Sequence, residues 1–230
     1  MDKEIKQEVF EYRGIDSLYL ARVLKDTAEE FTCEEPVHFA YVAEIGKTTD
    51  SGSESHYYDN KPMIVVSSES DDKITIVVAP PELERLSAIT GKSFDPETGM
   101  MVEGPSKNDY WAIMYRTKGT DGAWRYVSRL KGRFGTPEES TKSEDDGTET
   151  TNTSIEFTGI YTTHEFDKGR YNDTAKKWEK GSAKGIVVDE RYGKADVSTF
   201  FEKVQTPDTI KATTASDPQT QSAKSSKSVN

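Results

Sequence analysis

Strand-like patterns of apolar and polar positions dominate the chain. Ser17 to Leu24 carries Leu18, Tyr19, Leu20 and Val23, and Val37 to Ile45 carries Phe39, Tyr41, Val42 and Ile45. Met63–Val66 and Ile74–Val78 are short β-branched runs separated by the polar stretch Ser67–Lys73, which predicts a hairpin with its turn there. Further on, Tyr110–Thr117 places Trp111, Ile113 and Tyr115 on one strand face, and a glycine-containing turn, Lys118 to Gly122, follows.

From Trp124 the alternation is strict. Trp124, Tyr126, Leu130 and Phe134 share one parity with Ser128, while Arg125, Arg129, Lys131 and Arg133 share the other with Val127. At period two this predicts a ribbon with an apolar face and a cationic face. The chain returns through Ile155, Phe157, Gly159 and Tyr161 after a polar, acidic stretch from Thr136 to Asn152. Two long strands joined by a charged loop predict a projecting hairpin over about 124–161, whose edges invite pairing with another subunit. Trp111, Tyr115, Trp124, Tyr126, Ile155 and Phe157 are the expected core.

Helical spacing occurs twice. Pro80 and Pro81 precede Glu82, then Leu83, Leu86 and Ile89 recur at three-residue intervals, and Gly91 supplies a stop. A second helix is expected from Asp196, a good N-cap, with Val197, Phe200, Phe201 and Val204 forming one apolar face. The remainder, 206–230, is rich in Thr, Ser, Ala, Lys and Gln, with Ile210 and Val229 as its larger apolar groups. Such a stretch buries too little surface to offset its ordering entropy, so it reads as a disordered tail after one folded domain over 1–205.

Composition narrows the class. The 230 residues carry a formal charge of −11, with 33% hydrophobic and 10% aromatic residues. That acidity argues against a general nucleic-acid binder, and the aromatic content against a fully disordered chain. No apolar run approaches the roughly 20 residues of a membrane span. Met1–Glu11 is charged, without the apolar core of a secretion signal. The charge is uneven. Residues 109–137 hold six basic and two acidic side chains, and residues 138–150 hold one basic and six acidic ones. Blocks of opposite sign can meet between copies and set register.

Catalytic signatures are missing. There is no G-x-S-x-G, Walker loop, G-x-G-x-x-G or H-E-x-x-H. Cys33, His38 and His56 fit no standard metal spacing, and one cysteine gives no internal disulfide. Asp71-Asp72 and Asp145-Asp146 are placed in turns, with no nucleophile motif beside them. The expectation is a non-enzyme without cofactor or metal. A carbohydrate-binding β-sandwich module is the alternative, and a carboxylate-based hydrolase is the weaker one.

The order of segments resembles the major tail proteins that build the tail tube of long-tailed, non-contractile phages of Gram-positive bacteria. The resemblance rests on Gly14–Ala21, Tyr57–Asn60, and Ile74–Ala79 leading into the Pro-Pro helix and Thr90-Gly91. It continues through Asp95-Pro96-Glu97-Thr98-Gly99 with Val102, Tyr110–Arg116, Arg125-Tyr126-Val127, Lys131-Gly132-Arg133-Phe134 and Ile155–Gly159, spanning roughly 14–205. The motifs are structural and not chemical, so their order and spacing carry the case.

The resemblance implies a mainly β, sandwich-like or barrel-like tail-tube domain with one or two flanking helices. It implies six-subunit rings stacked into a tube, with a β-barrel lumen that holds the tape measure protein and later passes DNA. Partners would be copies of the chain, the tape measure, the distal tail protein and the tail terminator. DNA would pass without specific binding, no membrane would be involved, and the place would be the virion tail, assembled in the host cytoplasm. The hairpins Tyr57–Ala79 and Trp124–Tyr161 would lie at the inner wall or between subunits. Arg125, Arg129, Lys131 and Arg133 become candidate inter-subunit cations, because cations facing the lumen would hold DNA. Glu138, Glu139, Glu144, Asp145 and Asp146 become candidate lumen or ring-contact anions.

Overall fold

A computed structural model describes residues 9–58, 61–137 and 152–213; for Asp50, 53–58 and 62–69 it describes the backbone alone. The fold is mainly β, with one α-helix among the described residues. In chain order the strands are β1 Tyr12–Asp26, β2 Phe31–Cys33, β3 Val37–His38, β4 Val42–Tyr58 and β5 Lys61–Val78. Helix α1, Leu83–Thr90, follows, then β6 Ser93–Asp95, β7 Met100–Val102, β8 Trp111–Gly119 and β9 Trp124–Phe134. The series ends with β10 Thr153–Gly159, β11 Phe166–Asn172, β12 Lys177–Gly181 and β13 Gly185–Asp189.

One antiparallel sheet organises the molecule, in the order β2-β1-β8-β9-β10-β5-β4, with β13 added to β9 and β3 to β1. Strand β9 pairs with β8 along one edge. Along its other edge, Arg125–Arg129 pair with β13 and Gly132–Phe134 pair with β10. The segment after β3 spans the space between β1 and β5. The Phe39 N–H donates to Leu18 O at 2.9 Å, and the Ala79 N–H donates to Tyr41 O at 2.9 Å.

The sheet thereby curls around one core. Leu18, Leu20, Ile74, Ile76, Val78, Ile113, Tyr115, Val127, Ile155 and Phe157 meet there with Phe39 and Ile89 of α1. The period-two pattern of β1, β8 and β5 is the cause: alternate residues face inward. The outer face is also covered. Ala21, Ala112 and Leu130 pack with Phe166 and Val204, and Met114 and Tyr126 pack with Phe200.

Helix α1 forms where its spacing predicts. Gly91 ends it in the left-handed region at φ 66, and a Cβ there would fall 1.9 Å from Lys107 O. Glycine is required on both counts. The second expected helix does not form. Residues 198–202 are successive turns, and the Asp196 carboxylate accepts from the N–H and hydroxyl of Ser198. The apolar positions are nonetheless used, with Phe200 and Val204 buried. Docking two aromatics on the sheet decides this segment's shape over local propensity.

Order also extends past the expected end of the domain at 205. Thr206 is buried, Ile210 packs beside Phe200, and Ala195 bridges Ala212. One isoleucine and a side-chain lattice through Thr209 anchor a segment whose composition reads as tail. The rest of the expected tail, 214–230, lies outside the described residues.

Candidate assembly surface

Two expected hairpins are replaced by one that the pattern did not reveal. Met63–Val66 and Ile74–Val78 do not face each other across a turn; both belong to the single strand β5, and its partner is β4. The inner part of β5, Asp72–Val78, is flanked by β4 on one side and β10 on the other. Beyond it, Ser51–Tyr58 pair only with Lys61–Glu69. At about 3.3 Å per residue, these eight residues of β4 make an arm roughly 25 Å long. Neither of its outer edges has a partner strand among the described residues.

The two strands of the expected hairpin over 124–161 do not project from the sheet, and the connection between them, 138–151, lies outside the described residues. β9 and β10 share only the pairs Phe157–Phe134, Thr158–Arg133 and Gly159–Gly132. Both strands sit inside the sheet, and β9 takes partners on both edges. Its length is used to hold β8, β13 and β10 together.

The root of the arm is an ionic cluster. Asp72 follows the parity of Ile74, Ile76 and Val78 and so faces the core end, where it is 1% exposed. Thr49 Oγ1 donates to its Oδ1 at 2.9 Å, Lys47 Nζ lies 3.1 Å from its Oδ2, and Lys184 Nζ lies 3.3 Å from its Oδ1. Arg129 completes the set at 3.9 Å. Burial alone would raise the Asp72 pKa, but the Thr49 hydroxyl, Lys47 and Lys184 outweigh it and hold the carboxyl below its ordinary value. Lys184 also donates to Ser70 O, so two positions of β5 at the root are tied to the approach to β13. A buried carboxylate among cations is costly to disrupt, which fixes where the arm leaves the sheet.

The cationic face of β9 is split by a bulge. Trp111 faces Gly132, but Ile113 faces Arg129, so the register slips by one between them. Such a slip reverses which face later residues occupy. Arg129 turns to Asp72, whereas Lys131 turns to the other side and pairs with Asp26 at 2.5 Å, both nearly buried. Asp26 also accepts from the backbone of Thr163 and His164; these bonds and Lys131 overcome its burial and lower its pKa. Arg125 stacks over Tyr12 at 4.7 Å, and Arg133 over Tyr110 at 4.2 Å. Arg133 is the exposed member of the four. Lys131 and Arg129 are therefore used within the chain, contrary to the expectation of a cationic face open to a neighbour.

The bulge also explains Gly132. A Cβ there would fall 2.3 Å from Phe157 Cζ and 2.5 Å from Thr158 O. Phe157 and Ile155 are fully buried, as are Tyr115 and Tyr126 within a few percent, in agreement with the expected core. Trp111 and Trp124 are only part-buried. Trp124 lies beneath Arg116, 4.1 Å from its ring, on the outer face. Glu138, Glu139, Glu144, Asp145 and Asp146 lie outside the described residues.

Asp71-Asp72 does not form a turn. The signal that would have placed Asp72 was present, since it extends the alternation of Ile74, Ile76 and Val78 by one step. A second projection was also missed. β11 and β12 form a separate two-stranded sheet, in which Tyr171 pairs with Trp178.

Among the described residues no group of three His, Cys, Asp or Glu side chains could hold a metal. Burial, then Asp26 and Glu34, push the Cys33 thiol up to about 12, the opposite of a nucleophile's need. No described helix is long and apolar enough to cross a membrane. No protein-family model matches the chain, and no curated protein matches it.

Proposed function

We propose that the chain is a structural subunit that assembles with copies of itself as stacked hexameric rings, forming a phage tail tube around a tape measure protein. The observation that carries this reading is the β4–β5 arm, whose two outer edges have no partner strand among the described residues. A ribbon of this kind leaves backbone donors and acceptors open to another strand, and a barrel closed from several chains removes such edges. The resemblance of segment order to tail-tube proteins points the same way. Catalysis needs a nucleophile or an acid–base pair in a cleft; among the described residues the enclosed carboxylates of Asp26 and Asp72 are each paired with a lysine.

In this reading the arm contributes to the tube wall, and the lumen is net negative, since a conduit for DNA works by not retaining phosphate. Replacing 53–67 with a short Asn-Gly turn tests the arm directly. The Gly52–Ser68 pair closes the shortened hairpin, and the core lies elsewhere. The shortened chain is expected to melt like the parent and to lose self-association. Assembly at the parental concentration would refute the role given to the arm.

A further inference from the structure

The β11–β12 hairpin has the composition of a contact surface and no partner strand among the described residues. Tyr171 and Trp178 sit beside its outer end, 41% and 51% exposed, with ring centroids 5.3 Å apart. Its base is held by Phe166 in the outer core and by the Asp208 carboxylate, which accepts from the N–H groups of Asp167 and Lys168. An isolated two-stranded hairpin is marginal in water. Around the aromatic pair, Arg170, Lys176 and Lys177 have no ionic partner among the described residues, while Lys180 faces Asp167.

Elsewhere on the chain is a groove of opposite character. It lies between α1 and the β1–β3 pair, with a volume of about 360 Å³. Leu20, Phe39, Ile89 and Trp111 line its floor, and Val37 is 59% exposed at its side. On its rim Arg22 is held by Glu34, and Arg85 by Glu82. Glu35 and Glu84 are exposed there without a cation among the described residues.

We infer that the β11–β12 hairpin of one copy docks in the α1–β3 groove of the next, with Trp178 entering the apolar floor and the hairpin cations meeting Glu35 and Glu84. This deepens, and rests on, the reading of the chain as a self-assembling subunit. Charge complementarity selects a second copy as occupant: the hairpin carries Lys168, Arg170, Lys176, Lys177 and Lys180 against Asp167, Asp173 and Glu179, a net positive charge, while Glu35 and Glu84 of the groove have no cation among the described residues. Buried aromatics set in a polar rim are the usual anchors of such contacts. The contact is heterologous, joining different patches, so it propagates into rings or stacks without two-fold pairing. The edge-to-face packing of Tyr171 and Trp178, at 65°, gives no flat platform for a sugar ring.

The full chain tests this by sedimentation and negative-stain microscopy across a concentration series. Four proteins are compared: the parent, Tyr171→Ala/Trp178→Ala, Lys176→Glu/Lys177→Glu, and the latter also carrying Glu35→Lys/Glu84→Lys. All six positions are exposed, so melting temperatures should stay near the parent's. Both hairpin variants are expected to raise the concentration for half-assembly at least about tenfold, roughly what losing one anchor costs, and the compensating charges should restore it. If the parent assembles and the hairpin variants match it, the docking is refuted while the assembly reading stands. A parent monomeric at every concentration refutes that reading and the docking with it. Trp178-dependent retention on chitin or peptidoglycan, with assembly unchanged, would assign the pair to glycan and also overturn the docking.

Discussion

The Nζ of Lys184, one residue before β13, lies 3.3 Å from Oδ1 of Asp72 on β5, and the two side chains are 8% and 2% exposed. With Lys47 of β4 and Arg129 of β9 on the same carboxylate, the cluster ties β4, β5 and β9 at the point where the arm departs. Asp72→Ala leaves Lys184 and Arg129 without their shared carboxylate. Removing one partner of a buried pair costs about 3–5 kcal/mol. Chemical denaturation should show that loss, and a variant as stable as the parent would remove Asp72 from its structural role.

Acid sensitivity follows from the same groups. Asp72 and Asp26 are both held below their ordinary pKa in the folded chain. Their contribution is complete above the unfolded value, about 3.9, and is lost as pH falls through the folded values. Melting temperature should therefore respond little to these two groups between about pH 5 and 7 and fall below about pH 4. Asp26→Asn and Asp72→Asn should each flatten that acid limb; an unchanged limb would contradict the assignment.

Core and outer face should respond differently to truncation. Phe157 is fully buried against Phe134 and Gly132, so Phe157→Ala should cost about 3–5 kcal/mol. Trp124 is part-buried beneath Arg116, and Trp124→Ala should cost clearly less, as partial burial and one cation–π contact imply. Equal losses in denaturant titrations would contradict the placement of these two rings on opposite faces.

What the amino-acid pattern made legible was local. Leu18–Leu20, Ile74–Val78, Ile113–Tyr115 and Ile155–Phe157 alternate because one face of each strand meets the same core. Helix α1 is announced by its prolines, its spacing and Gly91. The pairing of strands was not legible, because β5 reads as two short runs when its polar middle, Ser67–Lys73, continues the strand. Polar residues there lie in the arm, face outward as Asp71 and Lys73 do, or, like Asp72, are neutralised by side chains far away in sequence. Period two also hid the bulge in β9. A one-residue slip leaves the letters alternating while it sends Arg129 to Asp72 and Lys131 to Asp26.

The apparent helix at 196–204 failed for a related reason. Val197, Phe200, Phe201 and Val204 keep helical spacing, yet successive turns deliver the same rings to Met114 and Tyr126. Spacing reports which residues are buried, and the surface they meet decides the backbone path. The β11–β12 hairpin left little trace, because its side chains are exposed on both strands and show no apolar alternation.

We propose that this chain builds a tube from copies of itself. Negative-stain microscopy of the purified full chain, over rising concentration and at low and high salt, measures that directly. Six-fold rings or hollow tubes are expected, appearing as concentration rises. Particles that stay single at every concentration and salt would contradict the account.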